Sequence, residues 1–183
     1  MDRRIERTRS ALRAALLELM LECGWDGIDV QALCSRANVG RSTFYQHFAN
    51  KEELLKASFA GLKDAVMAQA SEAAPAPGSL GFVPALAAHV HEMQDLFRAL
   101  LVRRSGHYVQ DRFRELLVEM MLADSPASKR SWQATARAHY LAGALFELLV
   151  WWLGSNRPHK PREIDALFRQ WSSAVLSAPV PGR

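Results

Sequence analysis

The sequence is poor in what a secreted, metal-bound or membrane-embedded chain would need. Only two cysteines, Cys23 and Cys34, occur in 183 residues. Two are too few for a disulfide framework, and their spacing suits no metal. Both lie in apolar helical surroundings and read as packing residues, with a redox sensor as the alternative. No nucleophile with its base, no acid and base pair and no metal motif stands at a useful spacing, so an enzyme is the least favoured class and neither cofactor nor metal is expected. Strand-like alternation is missing throughout. The longest nearly uncharged run, residues 138 to 156, carries Glu147 in its middle and reads as a buried helix, not a membrane span. Arginines precede an apolar run at the start, as in a signal peptide, but Arg13 and Glu18 interrupt that run at helical intervals. A cytoplasmic protein is expected.

What is present is ordinary hydrophobic content, 49%, with a formal charge of +4. The excess is not concentrated in the first third, where residues 1 to 56 hold nine Lys and Arg against eight Asp and Glu. Its distribution says more. No Asp or Glu occurs from Val30 to Lys51, while Arg36, Arg41 and Lys51 do, so this window should present locally positive surface.

Helical periodicity recurs along the chain. Arg3 to Glu22 reads as a first helix, with Gly24 as its stop. Asp29 can N-cap a second from Val30 to about Ala37. Asn38, Val39 and Gly40 make a turn, since Asn tolerates the left-handed conformation. A third helix runs from Arg41 to Phe48. Asn50, three residues before Glu53, approximates a capping box and opens a fourth helix toward Ala70. The tract AAPAPGS at 73 to 79 breaks it. Residues 80 to 122 read as two or three helices interrupted near Ser105 and Gly106, with Pro84 in a first turn. Residues 128 to 153 and 161 to 176 complete an all-α chain, with GSNRPHKP between them.

The stretch RANVGRSTFYQHFANKEELL, residues 36 to 55, carries the functional signal. Phe44 and Phe48 share one helical face, leaving Ser42, Tyr45 and Gln46 largely on the other. Two helices joined by a short turn, the second offering polar groups outward, make a helix-turn-helix. Arg41 carries the fork that suits a guanine edge, and Ser42 and Gln46 are the other base-edge candidates. Lys51 stands in the first turn of the fourth helix, where a phosphate is the natural ligand. Arg3, Arg4, Arg7 and Arg9 form either an arm along DNA or an ordinary solvated helix start.

Residues 5 to 55, above all VGRSTFYQHFANKEELL, resemble the TetR/AcrR family of bacterial transcriptional regulators. Thr43, Tyr45, His47, Phe48, Asn50, Lys51, Glu52 and Leu54 match the family at the right offsets. The resemblance implies an N-terminal three-helix DNA-binding domain, residues 1 to 50, and a C-terminal helical ligand-binding and dimerisation domain, residues 51 to 183. It assigns Thr43, Tyr45 and His47 to backbone phosphates, and Gly40 falls in the same DNA-facing set. Two departures stand out: Asn38 where the family usually has Gly, and Gly40 where it usually has Ser, which removes one hydroxyl from the helix start.

The last two long helices suggest a second subunit. Leu141, Leu145, Leu149 and Trp152 lie on one side of the first, and Phe146, Val150 and Trp151 on the other; a helix apolar all round must be covered all round. Ile164, Leu167, Phe168 and Trp171 stripe the final helix, and the pair resembles the family's four-helix dimer interface. Leu141, Leu145, Leu149, Trp152, Ile164, Leu167, Phe168 and Trp171 are therefore the candidate seam. Met67, His89, Met93, Phe97, Tyr108, Trp132, His139 and Tyr140 are candidates to line a cavity for a small apolar or aromatic effector. The expected function is that of a homodimeric repressor on a palindromic operator, released by such a ligand. The rival is a protein-interaction module on the same fold.

Overall fold

The computed structural model describes residues 3–72, 78–102, 107–125, 131–155 and 159–177. Apolar positions at helical spacing become the buried face of α1 (Arg3–Cys23): Leu12, Ala15, Leu16, Leu19 and Met20. Gly24, at φ 71°, ends it and feeds one 3₁₀ turn, Trp25–Gly27. Helix α2 (Val30–Ala37) starts on Asp29, whose carboxylate accepts the Ala32 amide at 2.7 Å. Helix α3 (Arg41–His47) follows the turn. Asn50 accepts the Glu53 amide at 2.9 Å, and Glu53 reaches back to the Ala49 amide at 2.6 Å. That reciprocal cap opens α4 (Lys51–Glu72).

After α4 come α5 (Val83–Glu92), α6 (Gln94–Phe97), α7 (His107–Asp124), α8 (Trp132–Gly154) and α9 (Pro161–Ser177). No strand occurs among the described residues. The expected interruption at Ser105 and Gly106, most of the tract at 73 to 79, the start of the helix expected from 128 and part of the linker before Pro161 lie outside the described residues. Pro84 sits in the first turn of α5, where its missing N–H costs no helical bond. One turn of π-helix, Arg98–Val102, follows α6. It is held from outside: Arg98 Nε donates to the Leu153 carbonyl at 2.9 Å and Gln110 Nε2 to that of Leu101 at 3.0 Å.

The architecture is an N-terminal helix-turn-helix unit continuous with a C-terminal helical body. α4 belongs to both. One apolar cluster runs from Leu12 through Leu54 and Val66 to Phe168. At its centre Phe113 meets the rings of Phe59, Phe97 and Phe146 at 5.8, 5.6 and 6.3 Å. No helix among the described residues is long and apolar enough to cross a membrane.

The candidate seam on α8 and α9 needs correction. Leu141, Leu145, Leu149, Trp152, Ile164 and Phe168 are all buried within the single chain, and Leu167 is half-buried. Trp171, at 64% exposure, is the one member of that set turned outward. Both sides of α8 are apolar in sequence, and the core takes the leucine side. The uncovered face carries Tyr140, Ala144, Trp151 and Trp171, with half-buried Leu148 beside them.

Candidate nucleic-acid interface

The reading helix is fixed from below. Phe44 and Phe48 are buried, with ring centroids 6.0 Å apart. The turn before α3 places Asn38 at φ 52°, ψ 48°, a left-handed position that asparagine tolerates and where glycine would be equally at ease. Its amide and that of Val39 close onto the last carbonyls of α2. Gly40 lies at φ −70°, ψ 150°, ordinary extended backbone, and caps α3 with no side-chain bond. A Cβ there would stand 3.8 Å from the hydroxyls of Ser42 and Thr43, so nothing steric demands glycine.

With the aromatic pair inward, Arg41, Ser42, Tyr45 and Gln46 are exposed, while Thr43 and His47 are half-buried. None of these six side chains makes a hydrogen bond or ion pair among the described residues. Tyr45 rests its ring edge-on against Phe44 at 5.4 Å and leaves its hydroxyl outward. The helix thus presents a row of donors and acceptors without internal partners. Water serves such groups when the protein is alone, and a polar surface can replace that water.

The positive window is narrower than its composition implies. Arg36 is taken by α1: its guanidinium grips the Glu22 carboxylate through two bonds of 2.7 and 2.8 Å and touches Glu18 at 3.1 Å. Hydrogen bonding to Arg36 holds the Glu22 carboxyl below the usual range, and the same bonds raise Arg36. The carboxylates come from outside the window, so the run of residues alone could not show them. Lys51 is also occupied. Its ammonium donates to the carbonyls of Trp25 at 3.1 Å and Ile28 at 2.8 Å, and lies 4.5 Å from the Trp25 ring centre. One of its three N–H groups is left for a phosphate. Arg41 alone of the three cations is unpaired, near enough to Cys34 to oppose the upward push that burial gives that thiol.

Helix α1 is helical from Arg3 onward, with Arg3, Arg4 and Arg7 exposed. Arg9 is drawn to the end of α3, its guanidinium carbon 5.4 Å above the Phe48 ring. Its Nε is buried without a partner. Sequence reasoning missed a further contact: the other side of this unit meets the helical body through Trp25, whose ring stacks on Tyr108 of α7 at 5.4 Å and 14°. Nothing local marks it, because the two aromatics stand far apart in the chain.

The effector candidates do not converge. Tyr108 is spent on Trp25, and Phe97 is buried in the core with His89 edge-on against it at 6.0 Å. Met67 is half-buried against the core, and Met93 is exposed. Trp132, His139 and Tyr140 point outward from α8. Aromatic and Met residues at helical spacing went chiefly to packing and to the outer face.

Comparison with known proteins places these features. Residues 12–58 match the family model described as bacterial regulatory proteins, tetR family. An uncharacterized HTH-type transcriptional regulator of Bacillus subtilis strain 168, YxbF, is 30% identical over 93% of this chain and 46% of its own length. The chain spans about half the length of the curated relatives it matches, 46% of this one and 41% of the next. Among solved structures, a TetR transcriptional regulator from Streptococcus agalactiae 2603V has a TM-score of 0.66 at 25% identity, covering 93% of this chain and 96% of its own. A second, from Rhodococcus sp. RHA1, has a TM-score of 0.68 over 96% of this chain and 99% of its own; at 16% identity it speaks for the fold alone.

Gly40 offers a direct test of the local reading. Gly40→Ser should add the missing N-cap and reduce unfolded-chain freedom, raising stability by about 0.5 to 1 kcal/mol. Gly40→Ala should give no such gain, because alanine is a poorer N-cap than glycine and offsets the entropic part. Urea unfolding of the three proteins checks this, and a loss of stability in Gly40→Ser would show that the backbone at this cap needs glycine.

Proposed function

The chain belongs to the TetR family of bacterial regulatory proteins, and we propose that it is a non-enzymatic, cytoplasmic transcriptional repressor that binds a palindromic operator as a homodimer and leaves it when a small effector binds. The observation that supports DNA reading most strongly is the exposed face of α3. Its six polar side chains make no hydrogen bond or ion pair among the described residues, while the helix beneath them is pinned by two buried phenylalanines. A protein-interaction module would have no need of an unpaired Arg41 at the first helical position beside Ser42 and Gln46.

Roles divide by reach. Arg41, Ser42 and Gln46 read base edges, and Thr43, Tyr45 and His47 hold phosphates with the help of the remaining Lys51 donor and the amides that follow Gly40. Arg41→Ala should relax preference at one base pair in each half-site, by about 1 to 3 kcal/mol there. Tyr45→Phe should instead weaken all duplexes similarly. Binding titrations against single-base operator variants separate the two, and an unchanged sequence preference in Arg41→Ala would remove its base-reading role.

The dimer reading rests on the outer face of α8 and α9. Tyr140, Trp151 and Trp171 are each more than half exposed, at 64%, 53% and 64%. An open groove of about 320 Å³ between Tyr140 and Trp171 is lined by Ala144, Leu148, Phe168 and Ser172. Three outward aromatics on adjoining helices make an apolar patch of the kind that a second subunit covers. Trp171→Glu should bury an unpaired charge in that contact at a cost of several kcal/mol and give folded monomers. Sedimentation at micromolar concentration should find the unmodified protein dimeric; a monomer there would refute this assembly.

A further inference from the structure

Far from the reading helix, the C-terminal end of α7 meets the start of α8 and the end of α9 around a cavity of about 180 Å³. The segment 78–81 forms one wall and is clamped from two sides. Asp124 of α7 accepts the Leu80 amide at 2.9 Å, and its main-chain carbonyl accepts that of Gly78 at 2.6 Å. Arg169 of α9 donates to the carbonyls of Ser79 and Leu80 at 2.5 and 2.9 Å while held by Asp165 at 2.7 Å. Leu80 is thereby kept at φ 59°, a left-handed conformation costly for a leucine, with its side chain buried. Such conformations persist where the surroundings over-determine them, and they gather at ligand sites.

The charges around the cavity are unevenly satisfied. Burial pushes the Asp124 carboxyl up, while the amides of Leu80, Gly81 and Gly78 and the nearby Arg169 favour its charged form. Arg137, half-buried on α8 and lining the same cavity, makes no hydrogen bond or ion pair among the described residues. The cavity also touches Ala134 in the first turn of α8, where the helix dipole adds to the positive potential. Leu80, Met121, Leu141 and Leu176 supply apolar walls.

We infer that this cavity binds a small organic monocarboxylate, its carboxylate paired with the Arg137 fork and its short apolar body against Leu80, Met121 and Leu141. One unpaired guanidinium calls for one carboxylate, and a planar fork suits that group over other anions. Asp124 on the wall disfavours a second negative charge. The volume, below the roughly 300 Å³ typical of drug-sized sites, restricts the body to a few carbons or a single ring. The site names an effector class for the repressor reading and rests on that reading for its consequence, though not for the binding itself. Helix α7 offers the route, running sixteen residues, about 24 Å, from Asp124 to the Tyr108 that stacks on Trp25.

The test is calorimetric titration of the full chain, without DNA, using butyrate, isovalerate, hexanoate and benzoate beside their primary amides and the dicarboxylate glutarate. At least one monocarboxylate should bind once per protomer, its amide and the dicarboxylate at least about tenfold more weakly. Arg137→Gln, checked for folding by circular dichroism, should lose that affinity, and Arg137→Lys should keep part of it. Amides that bind as well as their acids, no heat with any monocarboxylate, or unchanged affinity in a folded Arg137→Gln would each overturn the site. A repressor that failed to bind DNA would leave these results untouched, so the two readings fail separately.

Discussion

The ammonium of Lys51 is the contact on which the arrangement of the helix-turn-helix unit depends. It sits at the head of α4, four residues beyond the end of α3, and is shared by two carbonyls of the turn between α1 and α2 with the Trp25 ring beneath it. One group therefore ties the head of α4 to the turn between α1 and α2. A cation over an indole ring contributes about 0.5 to 2 kcal/mol, more when water is excluded. The other neighbour of that ring is Tyr108, so the same indole ties the reading unit to the helical body. A tilt of α7 would reach Trp25 through this stack and, through Lys51, the head of α4. Lys63 of α4 and Glu119 of α7, 2.7 Å apart, reinforce the same pair of helices.

Function follows from which polar groups are satisfied and which are left over. Along the chain the protein neutralises its own spare charge: Arg36 by Glu18 and Glu22, Arg169 by Asp165, Arg114 by Asp111 at 3.2 Å while its guanidinium lies over Phe146. Against that background the unpartnered side chains of α3 and the lone Arg137 are exceptions. Ordinary surface residues are also without partners. What distinguishes these is placement, one set on a rigid helix with its apolar face locked and the other on the wall of a cavity. The outer aromatics of α8 and α9 are the apolar counterpart, since the core beneath them is already full.

Local chemistry was the legible part of the sequence. Asp29, Asn38 and the pair Asn50 and Glu53 announced a cap, a left-handed turn and a second cap, and each sits in that role because the bond it makes spans only a few residues. The limits of α2 followed from the same signals. What depended on long-range geometry was not legible. Helix α8 is apolar around its whole circumference, so periodicity could not say which stripe the core would take. Carboxylates from α1 reached Arg36 across fourteen and eighteen positions. The π turn after α6 is held by Arg98 bonding to Leu153 of α8 and by Gln110 of α7, and the left-handed Leu80 by Asp124 and Arg169 of α7 and α9; no local residue type foretells either.

The central claim is that two copies of this chain present two α3 faces to one duplex. Selection of bound sequences from a random duplex pool by the unmodified protein tests it without any assumption about operator, effector or sign of regulation. The account predicts an enriched inverted repeat whose half-sites are centred about one helical turn apart, roughly 34 to 36 Å, or a multiple of that spacing. A pool that stays unenriched, or a single half-site with no symmetry mate, would contradict it.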